Sequence, residues 1–130
     1  MTLQCINPKD LPTPETYTQV VVATGSKLVF VSGQEPEDLH GRLVGPGDLA
    51  AQARQVFGNL GRALAAGGAR PEQVVKINIY VVNYKRDDLP VIEKARIALF
   101  RDHKPADTLL GVAALPPGHL IEVDAIAIID

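Results

Sequence analysis

In the stretch His103-Lys104-Pro105-Ala106-Asp107-Thr108-Leu109-Leu110, one carboxylate stands where an apolar run begins. Pro105 has no N–H to donate and disfavours a helical residue before it, so one element ends there and a strand follows. Asp107 therefore sits at the mouth of a strand, either as an inert turn residue or at a place where charge does chemistry. Four more polar side chains interrupt apolar segments: Lys76 and Asn78 in VVKINIYVV, and Glu122 and Asp124 in IEVDAIAI. Strand alternation places these four on one sheet face. There a cross-strand Lys76–Glu122 ion pair is one use of the charges. Asn78 either lines a cleft or satisfies an interface.

Other chemistries lack their residues. His40, His103 and His119 fall in loops without metal-ligand spacing, and Cys5 is the single cysteine, so neither a metal site nor an internal disulfide is expected. Val31-Ser32-Gly33-Gln34 is not a nucleophile elbow, and Gly45-Pro46-Gly47 is too short for a phosphate loop and follows no strand. No cofactor is implied. The formal net charge of −2 gives no field for nucleic acid or an anionic membrane, which makes nucleic acid an unlikely partner. No stretch approaches the ~20 apolar residues of a membrane span. The opening segment has charges and prolines rather than the apolar run of a signal peptide, so a cytoplasmic location is expected.

The elements that must position these residues follow from periodicity. At 130 residues, 46% of them hydrophobic, the chain fits a single domain over residues 1–130. A proline-rich arm runs to about Glu15. Val-rich runs on either side of Thr24-Gly25-Ser26-Lys27 predict a β-hairpin. Leu49, Ala53, Val56, Phe57, Leu60 and Leu64 recur at helical spacing between an N-cap at Asp48 and a stop at Gly67-Gly68. A strand follows within Pro71–Asn83, with Val75, Ile77, Ile79 and Val81 on one face. A second helix is predicted within Arg86–His103, capped by Asp87 or Asp88, with Leu89, Ile92, Leu99 and Phe100 on its apolar side. Two strands joined by Pro116-Pro117-Gly118 end the chain. The order β-β-α-β-α-β-β predicts an α+β protein with a mixed sheet and two helices on one face.

Two helices cover only one face of such a sheet. The other carries Val74, Tyr80, Ile126 and Ile128 beside Lys76, Asn78, Glu122 and Asp124. That mixture is too apolar for water and too polar for a closed core, so burial against another subunit is expected.

The segments Tyr17-Thr18-Gln19, LVFVSGQEP, ARQVFGNLGRALAAGGARPEQVVKINIYV, HKPAD and LPPGHLIEVDAIA, in this order and spacing, resemble the RidA/YjgF (L-PSP) family over nearly the whole chain. The resemblance implies a chorismate-mutase-like fold, a homotrimer whose sheets close into a barrel, and small-molecule ligand clefts between subunits. It implies hydrolysis of small reactive enamines and imines, or related carbonyl metabolites, without a cofactor. By the same resemblance, Glu122 positions the hydrolytic water as a base and the Tyr17 hydroxyl lines the cleft. Ser32 and Gly33 offer backbone amides there, with Gly33 permitting close approach. Structural alternatives stand beside these roles: the Lys76 ion pair for Glu122, and sheet-edge packing for Tyr17.

Family members carry an Arg after the His-Lys-Pro-Ala segment, a planar fork that clamps the substrate carboxylate. Asp107 takes its place here. At ~4 Å two like charges repel by about 4 kcal/mol at an effective dielectric of 20, so a carboxylate substrate needs another anchor or the ligand is not a carboxylate. Thr108 keeps a hydroxyl and Leu109 replaces a common Cys. On the second helix, Glu93 and Arg96 replace the family's Asn and aromatic residue. Arg96 is either a displaced anchoring cation or part of a solvated face with Glu93 and Lys94, and the sequence favours the solvated face. The reading is a RidA-like hydrolase with altered anchoring through Asp107, Thr108, Asn78 or Arg96. The alternative is a non-catalytic trimer of the same fold that binds a metabolite or a partner.

Overall fold

The computed structural model describes residues 1–130. Six strands and two helices follow in the order β1 (Thr2–Ile6), β2 (Val20–Thr24), β3 (Lys27–Gln34), α1 (Leu49–Ala66), β4 (Val74–Val82), α2 (Asp88–Phe100), β5 (Ala106–Val112) and β6 (Ile121–Ile129), with one 3-10 turn at Pro71–Gln73. The main sheet has the order β3-β6-β4-β5, in which only β4 and β5 run parallel. Helix α2 is the crossover of that parallel pair, as parallel strands require. This mixed sheet with two helices is the α+β topology expected. No helix is long and apolar enough to cross a membrane.

Helix α1 begins as its sequence predicts. The Asp48 side chain accepts from Ala51 N at 3.1 Å, satisfying a donor that the first turn leaves free. At the other end Gly68 adopts φ +79° and Ala69 N returns to Leu64 O, which closes the helix. Ala53, Val56, Phe57, Leu60 and Leu64 are buried against Val74, Ile77, Ile79 and Val81 of β4 and Ile121, Val123, Ala125 and Ala127 of β6. Phe57 meets Phe100 of α2 edge-on, with centroids 6.5 Å apart, where the helices cross.

Three local readings change. The predicted hairpin does not form: β2 pairs with β1 and β3 pairs with β6. Gly25 lies where the chain crosses between the two sheets. A β-carbon there would lie 2.7 Å from Ile128 Cγ1 and 3.0 Å from Ile129 O, and Ser26 N donates to Ile129 O. The chain therefore passes against β6 at this point and moves from one sheet to the other. The proline-rich arm accordingly begins with a strand, β1. The second difference is Val74, predicted on the open face but fully buried, because the β4–β6 register shifts between Val74 and Lys76. From Ile77 onward the predicted alternation holds. The third concerns α2, where Leu89 is exposed and Arg96 is buried in the helix–sheet layer.

The open face carries Leu28 and Phe30, which are 59% and 70% exposed, opposite Ile128 and Ile126 in the β3–β6 register. This greasy strip continues the surface argued from β4 and β6.

Candidate functional site

The proposed site residues fall into three groups, each set by strand parity. Asp107 is opposite Ile77, a core residue, and so faces the helix layer. Its neighbour Thr108 faces the other way and accepts from Lys76 Nζ at 2.7 Å. The two residues after Ala106 therefore serve opposite sides of the sheet.

On the helix side Arg96 approaches Asp107, with Nε 3.7 Å from Asp107 Oδ2, while its Nη1 lies 3.1 Å from Glu93 Oε2. The Arg96 side chain is 2% exposed and that of Asp107 7%. This overturns the solvated-face reading of Arg96. Residues 93 and 96 are one turn apart, so the helix aims both at the start of β5. Burial pushes the Asp107 carboxyl up to about 6, opposed by the Arg96 charge and assisted by Glu93. Burial also raises Glu93, against the pull of Arg96. Arg96 Nε and Nη2 and Asp107 Oδ1 are buried without hydrogen-bond partners. Beside this triad, a pocket of about 260 Å³ is lined by Thr16, Tyr17, Leu89, Glu93, Asp107 and Leu109. Tyr17 thus shares a pocket with Asp107. The segment that carries it is fixed by Thr18, whose N donates to Pro105 O and whose hydroxyl donates to Lys104 O.

The second group lies at the end of β3. Gly33 lies directly beneath the Glu122 carboxylate, so that a β-carbon at residue 33 would overlap Glu122 Oε2. The constraint at residue 33 is one of contact with that carboxylate rather than of backbone conformation, since Gly33 is not among the positive-φ residues. The Lys76–Glu122 ion pair does not form. Register places Tyr80 opposite Glu122 and Ile126 opposite Lys76. Ser32, on β3 next to Gly33, is exposed.

The third group is the middle of the open face. Asn78 Nδ2 and the Tyr80 hydroxyl each donate to the Asp124 carboxylate at 2.8 Å. That bond, burial and the Asp124 charge raise the Tyr80 pKa. Asn78 is therefore occupied within its own chain, and Asp124 is its acceptor.

Sequence reasoning passed over Glu35 and Glu37 and set His119 aside for want of metal-ligand spacing. They converge beside Gly33, with ligand atoms all within 4.8 Å of one another. Burial, a side-chain hydrogen bond to Glu37 and the Glu37 charge raise Glu35, against the pull of His119, and the Glu122 charge adds to the rise. No motif signals this group, because the acids and the histidine come from segments far apart in the chain. Gln52 was also missed as a polar residue on the apolar face of α1. It is fully buried, donating to Gly45 O and Gly118 O and accepting from Leu120 N.

A family model described as Endoribonuclease L-PSP matches residues 8–129. A curated protein of Myxococcus xanthus, DfrA, is 35% identical over 112 residues, covering 86% of this chain and 84% of that protein. A 2-iminobutanoate/2-iminopropanoate deaminase of Dermatophagoides farinae is 31% identical over 114 residues, covering 88% of this chain and 86% of the deaminase. Among solved structures, a protein of the conserved Rid family from Yersinia pestis, YyfB, superposes with a TM-score of 0.91. It shares 34% sequence identity, and the match covers 98% of this chain and 99% of that one.

Proposed function

Since the chain belongs to the RidA/YjgF (L-PSP) family, whose similarity to curated imine deaminases supports a general role in hydrolysing reactive imines and enamines, we propose that it hydrolyses small imines that lack a free carboxylate. Water is the nucleophile. Glu122 takes its proton, its carboxylate resting against the Gly33 backbone where no side chain displaces it. Tyr17 orients the substrate in the pocket it shares with Asp107.

The observation that carries this reading is the buried Glu93–Arg96–Asp107 triad. Two acids against one guanidinium give the pocket wall a net negative charge once Asp107 ionises above about pH 6. Arg96 is ion-paired with Glu93 and Asp107, 2% exposed and absent from the pocket lining, so it is a poor substitute for the family's clamp. A negative wall favours a substrate that presents an ammonium, an iminium or a neutral donor.

Tyr17 and Asp107 line one pocket, while Gly33 lines another beside Glu122. A working site that uses both groups is built between copies, which supports a homotrimer with intersubunit clefts. The apolar strip of Leu28, Phe30 and Ile126 is the surface available for that contact.

The test compares kcat/KM on freshly generated 2-iminopropanoate and on the imine of an amine without a carboxylate. The native protein is expected to prefer the second. Replacing the triad by the family's types, Glu93→Asn with Arg96→Tyr and Asp107→Arg, should shift preference toward 2-iminopropanoate by about 100-fold, the scale of one charge-assisted bidentate contact. Efficient native turnover of 2-iminopropanoate that is lost in Arg96→Ala would show that Arg96 anchors the substrate. Inactivity of the native protein toward every imine would favour a binding protein.

A further inference from the structure

We infer that Glu35, Glu37 and His119 form a binding site for a divalent first-row transition ion beside Glu122. The site is made from two directions. Glu35-Pro36-Glu37 leaves the end of β3, and its backbone is pinned by α1. Asn59 Nδ2 donates to Glu35 O at 3.0 Å and to Glu37 O at 2.9 Å, and Gln55 Nε2 donates to Glu37 O at 3.0 Å. The two carboxylates are thereby presented together from a fixed loop. His119 arrives from the opposite end of the chain, after a turn in which its N–H donates to Pro116 O and Gly118 adopts φ +81°. The neighbouring residue, Leu120, is held by Gln52.

The histidine is the second, independent sign of a ligand. Its side chain is 6% exposed, with Nε2 3.2 Å from Glu37 Oε1 and Nδ1 buried without a partner. With Nε2 turned toward Glu37, the ring keeps Nδ1 as unused hydrogen-bonding capacity. The three ligand atoms lie within 4.8 Å of one another, close enough to converge on one ion after small side-chain adjustments. A divalent ion would neutralise the paired acids and take an imidazole lone pair. One nitrogen and two carboxylate oxygens suit zinc, manganese or cobalt better than calcium or magnesium, which prefer all-oxygen sites. Three protein ligands leave coordination positions for water. Glu35 and Glu37 also line a pocket of about 660 Å³ with Gly33, Gln55, Asn59 and Arg62, which gives the ion a route in.

The proposal stands apart from the imine reading, because it is read out by binding alone. The probes are Zn²⁺ and Co²⁺, titrated by calorimetry and by visible absorption into full-length protein carrying Cys5→Ser, since Cys5 is an exposed thiol. One ion per chain is expected, with cobalt d–d bands showing nitrogen and oxygen ligation. His119→Ala, and separately Glu35→Gln, should each weaken binding by at least about tenfold. His40→Ala should leave it unchanged and so serves as the control for surface histidines. Should His119→Ala fail to fold, Glu35→Gln alone decides, because Glu35 lines the open pocket. No binding of either ion at about 100 μM, weaker than a specific zinc site, would overturn the proposal in favour of an imidazolium–carboxylate pair. Binding equal in native, His119→Ala and Glu35→Gln proteins would overturn it as an adventitious surface site.

Discussion

Gly33 and Glu122 are in direct contact, with no space for a side chain between them while the carboxylate stays in place. In Gly33→Ala the new methyl displaces the Glu122 carboxylate, which is the free end of a flexible side chain, so the fold should survive while the base moves. On the proposed mechanism kcat/KM should fall by about 100-fold, the scale of a 1 Å misplacement, with little change in melting temperature. Steady-state kinetics and calorimetry on one preparation check both halves. Asp107 has a different signature. Its carboxyl is raised from 3.8 to about 6, so the folded protein holds this proton more tightly than the unfolded chain. Its contribution to stability is therefore full below about pH 4 and is lost as pH rises through 6. A rise of that size corresponds to roughly 3 kcal/mol. In Asp107→Asn this pH dependence should disappear. The measurement is the native-minus-variant difference in unfolding free energy by urea titration between pH 4 and pH 7, the neutral reference, and a flat difference would contradict the assignment.

Helix α1 does more than cover the sheet. Through Gln52 it ties the Gly45 loop to the turn that delivers His119 and Glu122, by three hydrogen bonds from one fully buried amide. Gln52→Ala leaves Gly118 O and Leu120 N unpaired, while Gly45 O keeps Asp48 N, and opens a void, for an expected loss of about 2–4 kcal/mol. Thermal unfolding measures it. Gln52→Glu retains an acceptor for Leu120 N but sets a buried carboxylate against two carbonyl oxygens, so at neutral pH it should be no more stable than Ala. Helix α2 does the corresponding work at the other group. Its residues 93 and 96 face the start of β5, so the pocket charge is set by a helix face and a strand end together.

At the scale of the molecule, the face opposite the helices remains to be covered. Phe30 is 70% exposed and Leu28 59%, beside Ile126. Exposed apolar surface of this extent on a sheet favours self-association, and a trimer is the expected species by light scattering at micromolar concentration. Phe30→Asp and Ile126→Asp should each shift the mass toward monomer, because each places an unpaired charge on the contact. A stable native monomer would remove the intersubunit cleft from the functional reading.

Local physics decided what the sequence alone could determine. Helical spacing, the Asp48 cap and the glycine stop defined α1, and alternation from Ile77 onward assigned the faces of β4 and β6. The unpaired sheet face was legible for the same reason, since two helices cannot cover both sides. The motif order marked Asp107, Gly33, Tyr17 and Glu122 as positions of interest. Pairing between distant segments was not legible. A turn that permits a hairpin does not compel one, and β2 pairs with β1 while β3 pairs with β6. Arg96 reads as a surface charge when grouped with Glu93 and Lys94, and only the docking of α2 over β5 shows it buried against Asp107. Glu35, Glu37 and His119 met in the same way. Desolvation and charge pairing depend on which elements share a layer, and that is fixed by tertiary contact rather than by any window of sequence.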